Sequence, residues 1–197
     1  MSPLFKELDS QASPLGQISL RRRRIPVFGD RDIYEVKLGD EFLMSSMFVE
    51  AEEALSTLGL AAVQGDKLSV VVGGLGLGYT AVAALKDERI EDLIVVDALE
   101  AVIGWHKDEL VPLGKMLNSD IRNRYVLGSF FDLATSSTEG FDPNNHGKKF
   151  DAILLDIDHS PTEFLNTANA SFYTTENLTL MAEQLKPGGV FAMWSQN

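Results

Sequence analysis

Asp156-Ile157-Asp158-His159 places two carboxyl groups and an imidazole within four residues, directly after the apolar run Ala152-Ile153-Leu154-Leu155. If the extended geometry of that run continues, Asp156 and Asp158 project to a similar side. Such a set suits work on an amine: a carboxylate takes the proton of an attacking amine or holds its cationic form. The competing reading is structural, with Asp156 capping the loop and Asp158 and His159 solvated. The second constellation is Val72-Gly73-Gly74-Leu75-Gly76-Leu77-Gly78-Tyr79-Thr80. Gly74, Gly76 and Gly78 are spaced G-x-G-x-G, which permits a tight strand-to-helix turn and close approach of a ligand to the backbone. A helix opening behind them offers free N–H groups. The dinucleotide fingerprint G-x-G-x-x-G requires glycine where Tyr79 stands, so that fit is incomplete, and a plain tight turn is the bland alternative. Asp97 ends the next apolar run. In an open α/β sheet a carboxylate there accepts the hydroxyls of a ribose; a helix-capping role is compatible with it. Glycine turn and Asp97 together predict an adenosine-type ligand over the carboxyl ends of the strands.

These residues need a sheet to hold them. Leu68–Val72 is apolar without alternation, as expected of a strand buried on both faces. Leu93–Val96, Tyr125–Leu127, Ala152–Leu155 and Val190–Trp194 read as further strands. Helices are expected near Thr80–Leu85, from about Ala98 to Met116 and from about Thr175 to Leu185. Ser136–Lys149, rich in glycine, proline and asparagine, reads as a mobile loop. Strand and helix alternate, which predicts a parallel sheet with helices on both faces. A switch in strand order between the first and fourth strands then brings Asp156 beside the glycine turn. Upstream, Gln17–Leu20, Asp32–Leu38 and Glu41–Met44 read as strands around the Gly39-Asp40 turn. A helix follows from about Phe48 to Ala62, with Phe48, Ala51, Ala54, Leu55 and Leu58 on one stripe. The expected organisation is an N-terminal β-hairpin module with a linking helix over 1–66 and a Rossmann-like nucleoside-binding domain over 67–197.

Composition narrows the function classes. The chain has 197 residues, 45% of them hydrophobic and 23% charged, with a net charge of −12. No cysteine is present, which excludes a disulfide scaffold, a cysteine nucleophile and a thiolate metal site. The three histidines, His106, His146 and His159, lack metal-ligand spacing, so no metal is expected. The acidic balance disfavours nucleic acid and anionic membranes, and suits a cationic ligand. Arg21-Arg22-Arg23-Arg24 is the exception, read as an exposed strand or edge guarded by charge, with an anion patch as the alternative. No apolar run approaches membrane-spanning length, and Met1–Gln17 has no signal-peptide core. A cytoplasmic protein is the expectation. Trp105, His106 and Trp194 read as packing, Phe130 and Phe131 as core or adenine contacts, and Tyr173 as core or a lid residue.

From Leu68 to Gln196 the sequence resembles the spermidine synthase family, a branch of the class I AdoMet-dependent methyltransferase fold. Val72-Gly73-Gly74 is similar to the start of that family's glycine motif, Asp97 to its ribose-binding acid, Leu155-Asp156 to its catalytic aspartate and Leu185-Lys186-Pro187-Gly188-Gly189 to the turn before its fifth strand. The strand Asp40-Glu41-Phe42-Leu43 resembles part of its small β-module. Gly128-Ser129 stands where the family has the glycine-aspartate that holds the adenine amine, which implies a nucleoside-binding place for Ser129, with Asp132 three residues on. The resemblance implies Gly73, Gly74, Gly76, Gly78, Asp97 and Ser129 on the nucleoside, and Asp156, Asp158 and His159 on the amine. Gly76 replaces a substrate-binding aspartate, Met44-Ser45-Ser46 replaces a Tyr-His-Glu run, and His159 stands where a second aspartate is usual, with Asp158 one residue early. The implied activity is aminopropyl transfer from decarboxylated AdoMet to a small-molecule amine, by a homodimer. Methyl transfer from AdoMet, a catalytically silent nucleoside-binding relative and a nicotinamide-dependent oxidoreductase are the other readings. The family's fold continues beyond a fifth strand, whereas the sequence closes on Ser195-Gln196-Asn197, so a partner chain or an incomplete sheet is expected at that edge.

Overall fold

The computed structural model describes residues 4–26 and 31–196. Four strands, β1 (Phe5–Ser13), β2 (Gly16–Arg24), β3 (Asp32–Leu38) and β4 (Glu41–Ser45), form an antiparallel sheet in chain order. Helix α1 (Glu50–Ala61) leads from it into a parallel sheet built from β5 (Leu68–Gly73), β6 (Ile90–Asp97), β7 (Asn123–Leu127), β8 (Phe150–Leu155) and β9 (Leu185–Met193). The crossovers carry α2 (Tyr79–Leu85), α3 (Glu100–Lys107), α4 (Gly114–Ser119), α5 (Phe130–Thr135), a 3-10 helix (Thr167–Tyr173) and α6 (Thr175–Ala182). The order is β7-β6-β5-β8-β9. The chain steps outward from β5 to β7, returns to β8 and steps outward again. The switch point therefore lies between β5 and β8, where open α/β sheets bind ligands at the strands' carboxyl ends.

Alternation along the buried strands feeds two cores. Val70, Val72, Leu93, Val95, Ala152 and Leu154 face α1, α2, α3 and the small sheet's Ile18, Leu20, Val36 and Leu38. Val71, Ile94, Val96, Ile153 and Leu155 face an aromatic layer of Phe130, Phe141, Phe150 and Phe172. The N-terminal sheet thus shares its core with the parallel sheet, on the side that carries the cavity described below.

The structure corrects several expectations. The N-terminal unit has a further strand, β1, whose side chains are mostly exposed; it is held by pairing with β2 and by the Trp105 Nε1–H bond to Asp9 (2.6 Å). The arginine run is no sheet edge, because β2 lies between β1 and β3. Arg21 pairs with Glu7, Arg22 and Arg24 with Asp32, and Arg23 with Glu35. The helix starts at Glu50, so Phe48 lies before it, and Phe48 and Leu58 are each 71% exposed; the buried residues of α1 are Leu55, Ser56, Gly59 and Leu60. The long helix predicted over 98–116 is broken: Glu109 adopts a left-handed φ of 56°, and α4 begins afresh after Pro112, which has no N–H to give. The loop 136–149 is pinned, with Phe141 and Asp142 buried. Arg124 bonds both oxygens of Asp142, at 2.6 and 2.8 Å, and holds its pKa down at about 2. Helix α6 ends at Ala182 and β9 starts at Leu185, so Pro187-Gly188-Gly189 falls inside the strand, next to a register shift. Among the described residues no helix is long and apolar enough to cross a membrane.

Candidate functional site

A cavity open to solvent lies over the carboxyl ends of β5, β6 and β8, roofed by the small sheet and the start of α1. Gly74, Gly76, Asp97, Asp156, Asp158 and His159 all line it, so the two constellations of the sequence share one pocket. A Cβ at Gly74 would collide with the backbone carbonyl of Asp156; this close crossing, with φ at +94°, is what lets the turn and the β8 end meet. Gly76, at φ +46°, leaves room for the Met44 sulfur, which a Cβ there would strike. That sulfur accepts the Leu77 N–H at 3.0 Å. Gly73 and Gly78 do not line the cavity. Gly73 backs onto the Phe130 ring, and Gly78 onto His106 and Leu117, so their smallness serves packing beneath the turn.

Asp97 accepts the Leu75 N–H on one oxygen (2.9 Å) and the Leu99 N–H on the other (2.8 Å). Burial raises its pKa, opposed by these N–H groups and that of Gly76. A carboxylate offers about four acceptor sites, so with three N–H donors already counted about one remains for a hydroxyl donor from the cavity. Beneath the turn, the His106 ring meets the Gly76 carbonyl at 3.0 Å through Nε2. Burial holds the His106 pKa down at about 4, so the neutral ring donates there at neutral pH. His106 supports the backbone of the glycine turn.

Asp156 follows β8, and its N–H donates to the Gly73 carbonyl (2.8 Å). Its Oδ2 receives the Thr80 hydroxyl at 2.5 Å. Burial pushes its pKa up to about 6, the neighbouring Glu52 charge pushes the same way, and the Thr80 bond opposes both. Asp158 differs from its neighbour two residues back. It is buried and accepts from Leu165 N–H, Asn169 Nδ2 and the Tyr173 hydroxyl at 2.8–2.9 Å. It organises the loop between β8 and the 3-10 helix, and Tyr173 is its anchor. His159 Nε2 lies 3.0 Å from Glu41 Oε1, which ties this loop to β4.

Ser129 stands in an adjoining cavity with Asp132, Phe131, Asn166 and Asn169, separate from the first but sharing Leu15, Ala98, Ile157 and Leu165 as a common wall. Its hydroxyl caps α5 by accepting the Asp132 N–H at 3.2 Å. Phe130 is core, and Phe131 reaches the second cavity. Among the residues not expected at the site, Glu52, Tyr79, Met44 and Leu15 face the first cavity, and Thr80 touches Asp156. Trp194, expected as packing, also faces it. Glu52 left no signal in the sequence, because the buried residues below it on the helix, Ser56 and Gly59, are small and not apolar.

No protein-family model and no curated protein matches the chain. Solved structures do. A spermidine synthase in complex with the transition state analogue AdoDATO superposes with a TM-score of 0.72 over 95% of this chain at 20% identity. The fold is that of the spermidine synthases. The Thermotoga maritima spermidine synthase gives a TM-score of 0.69, also over 95% of the chain, at 19% identity. The chain spans 57% and 56% of the lengths of those two structures. At this identity the likeness extends to the small antiparallel sheet and the five-stranded parallel sheet, and the chemistry has to be argued from the cavity itself. Among the described residues, no three His, Cys, Asp or Glu side chains are grouped to hold a metal ion.

Proposed function

We propose that this chain is an aminopropyltransferase-like enzyme that takes decarboxylated AdoMet as donor and a small amine as acceptor. One observation carries this reading. The cavity is lined by Glu52, Asp97, Asp156 and Asp158, with no lysine or arginine among the described residues that line it. A donor that keeps the AdoMet carboxylate would bring a further negative charge into a half-buried acidic site, with no cation to receive it. A sulfonium donor without that carboxylate, and an amine, are both complementary to it.

The roles follow from the geometry. Gly74, Gly76 and Asp97 hold the nucleoside, the last through a ribose hydroxyl. The adjoining cavity with Ser129 and Asp132 takes the adenine. The acceptor nitrogen attacks the carbon next to the sulfonium; the new N–C bond forms as the C–S bond breaks, and the thioether leaves neutral. The nitrogen must be unprotonated to attack and sheds a proton afterwards. Asp156 is the base, poised near neutrality by its burial and oriented by Thr80. Orientation and exclusion of water supply the rest.

Calorimetric titration of the chain with decarboxylated AdoMet and with AdoMet tests the donor. Binding of the decarboxylated compound at least about tenfold more tightly, a difference of about 1.4 kcal/mol, is the expected result. Preference for AdoMet would overturn it in favour of methyl transfer. Mass spectrometry of an amine mixture incubated with the bound donor then identifies any aminopropylated product.

A further inference from the structure

The glycine turn is closed by the Gly78 N–H, which donates to the Leu75 carbonyl at 2.7 Å. The peptide in the middle of that turn joins Gly76 to Leu77. A four-residue turn gives its central peptide no hydrogen bond of its own, and the common turn types differ in the way that peptide faces. The N–H groups on either side are held by backbone or by Asp97. Gly74 donates to the Val96 carbonyl at 2.9 Å, and Leu75 and Gly76 donate to Asp97. The central peptide is held from elsewhere. Its carbonyl, on Gly76, meets His106 Nε2 of α3 at 3.0 Å. Its N–H, on Leu77, meets the Met44 sulfur of β4 at 3.0 Å. The C=O and N–H of a trans peptide point in opposite directions, so two side chains grip one peptide plane from opposite sides.

Packing alone does not explain the imidazole. His106 is fully buried, and its Nδ1 has no hydrogen-bond partner among the described residues. A buried nitrogen left unpaired destabilises a fold, and a phenyl ring would fill the same space without one. Gly78 makes the room, since a Cβ there would stand 2.8 Å from His106 Cε1. From the far side of the ring's own backbone, Asn118 Nδ2 donates to the His106 carbonyl at 2.8 Å and fixes this end of α3. What the imidazole supplies is the Nε2–H on the Gly76 carbonyl. Leu77 is equally enclosed, so its N–H needs a partner inside the protein. The Met44 thioether is a weak acceptor, but a leucine of similar bulk would offer none.

We propose that His106 and Met44 are a pair of positioning residues that clamp the Gly76–Leu77 peptide and hold the glycine turn in its donor-binding form. Rotation of that peptide would displace Gly76, which lines the cavity, and the Gly76 N–H that Asp97 receives. The two jaws come from β4 of the small sheet and α3 of the parallel sheet's crossover, so the seating of the small sheet on the turn is coupled to donor binding. This rests on the donor reading above, and the test separates the two.

Amide hydrogen exchange by NMR and calorimetry with decarboxylated AdoMet are measured on the unaltered chain, His106→Phe, His106→Gln, Met44→Leu and the double variant His106→Phe/Met44→Leu. In His106→Phe the Leu77 amide, at the other end of the peptide from the lost contact, exchanges about tenfold faster, while the Gly74 amide keeps its rate. Donor affinity falls about three- to tenfold in His106→Phe and in Met44→Leu, the scale of one neutral hydrogen bond. His106→Gln, whose side-chain N–H stands in for Nε2–H, stays near the unaltered chain on both counts. The double variant loses little more than the worse single variant, because a plane released at one end has no grip left to lose. An unchanged Leu77 rate in His106→Phe, no rescue by glutamine, or losses that multiply in the double variant overturn the clamp. Faster Leu77 exchange with unchanged donor affinity overturns its part in donor binding. If the unaltered chain binds no donor while the Leu77 amide responds as expected, the clamp stands and the donor reading falls.

Discussion

Replacing Thr80 by valine takes one hydroxyl from beneath Asp156 and leaves the shape of the side chain nearly intact. Thr80 is 3% exposed, and its hydroxyl stands 2.5 Å from Asp156 Oδ2. A hydrogen bond to a charged group contributes about 1.5–3 kcal/mol. At about 1.4 kcal/mol per pKa unit, that is a shift of about one to two units. The bond favours the ionised carboxylate, so its loss raises the pKa. Asp156, already pushed up to about 6, moves to roughly 7–8 on that scale. The acid limb of the kcat/KM pH profile moves up by the same amount. Activity at neutral pH falls several-fold and recovers in alkaline buffer, and Thr80→Ser retains the original profile. The carboxyl carbon shift of Asp156, followed by NMR against pH, reads the same change without turnover. An acid limb that stays in place, or a loss of activity equal at all pH values, would refute the proposed role of Thr80.

Three further outcomes follow from other contacts. Asp156→Asn abolishes transfer but stabilises the fold at neutral pH. With its folded pKa raised from 3.8 to about 6, Asp156 makes the native state bind the proton more tightly, so stability falls as pH rises from about 4 to about 6; on the order of 2 kcal/mol is recovered at pH 7 by the neutral amide and nothing at pH 3, as denaturant midpoints at the two pH values will show. Gly76→Ala drives a methyl group into the Met44 sulfur at a left-handed φ, so donor affinity drops about tenfold or more; adding Met44→Ala restores part of it by calorimetry if the clash, and not backbone strain, dominates. Arg124→Met leaves Asp142 buried without its main partner. This costs about 3 kcal/mol and lowers the melting temperature, and the penalty shrinks in acid as Asp142 becomes protonated.

The parallel sheet was legible because its strands are continuous apolar runs, and a strand buried on both faces has little other pattern to show. The glycine turn, Asp97 and Asp156 were legible because strand ends and their first turns are adjacent in sequence. What stayed hidden depends on contacts across the chain. β1 carries almost no apolar alternation, since it is stabilised by pairing with β2 and by Trp105 reaching Asp9. Phe48 and Leu58 suggested a stripe that the structure leaves exposed, because small residues set the approach of α1 to β8 and β9. A stripe of Glu52, Ser56 and Gly59 has no hydrophobic signature at all. Asp158 looked like the twin of Asp156 by alternation. Its three hydrogen bonds come from residues 165, 169 and 173, which no local pattern connects to it.

The contrast between these two aspartates shows how one loop separates structure from chemistry. Asp158 is buried and Asp156 is partly exposed to the cavity, and both follow the same strand. Asp158 receives three hydrogen bonds, which commit it to holding the loop together. Asp156 receives one from a side chain, and faces Glu52 across the cavity. Its charge is therefore held under strain, and strain of that kind is relieved by a proton or by a cation. An amine supplies both in turn: the ammonium form on arrival, and the proton released when the new bond forms. Adding a second donor to Asp156 would stabilise the empty site and weaken the base, so the sparse solvation of this carboxylate is what fits it for work on amines.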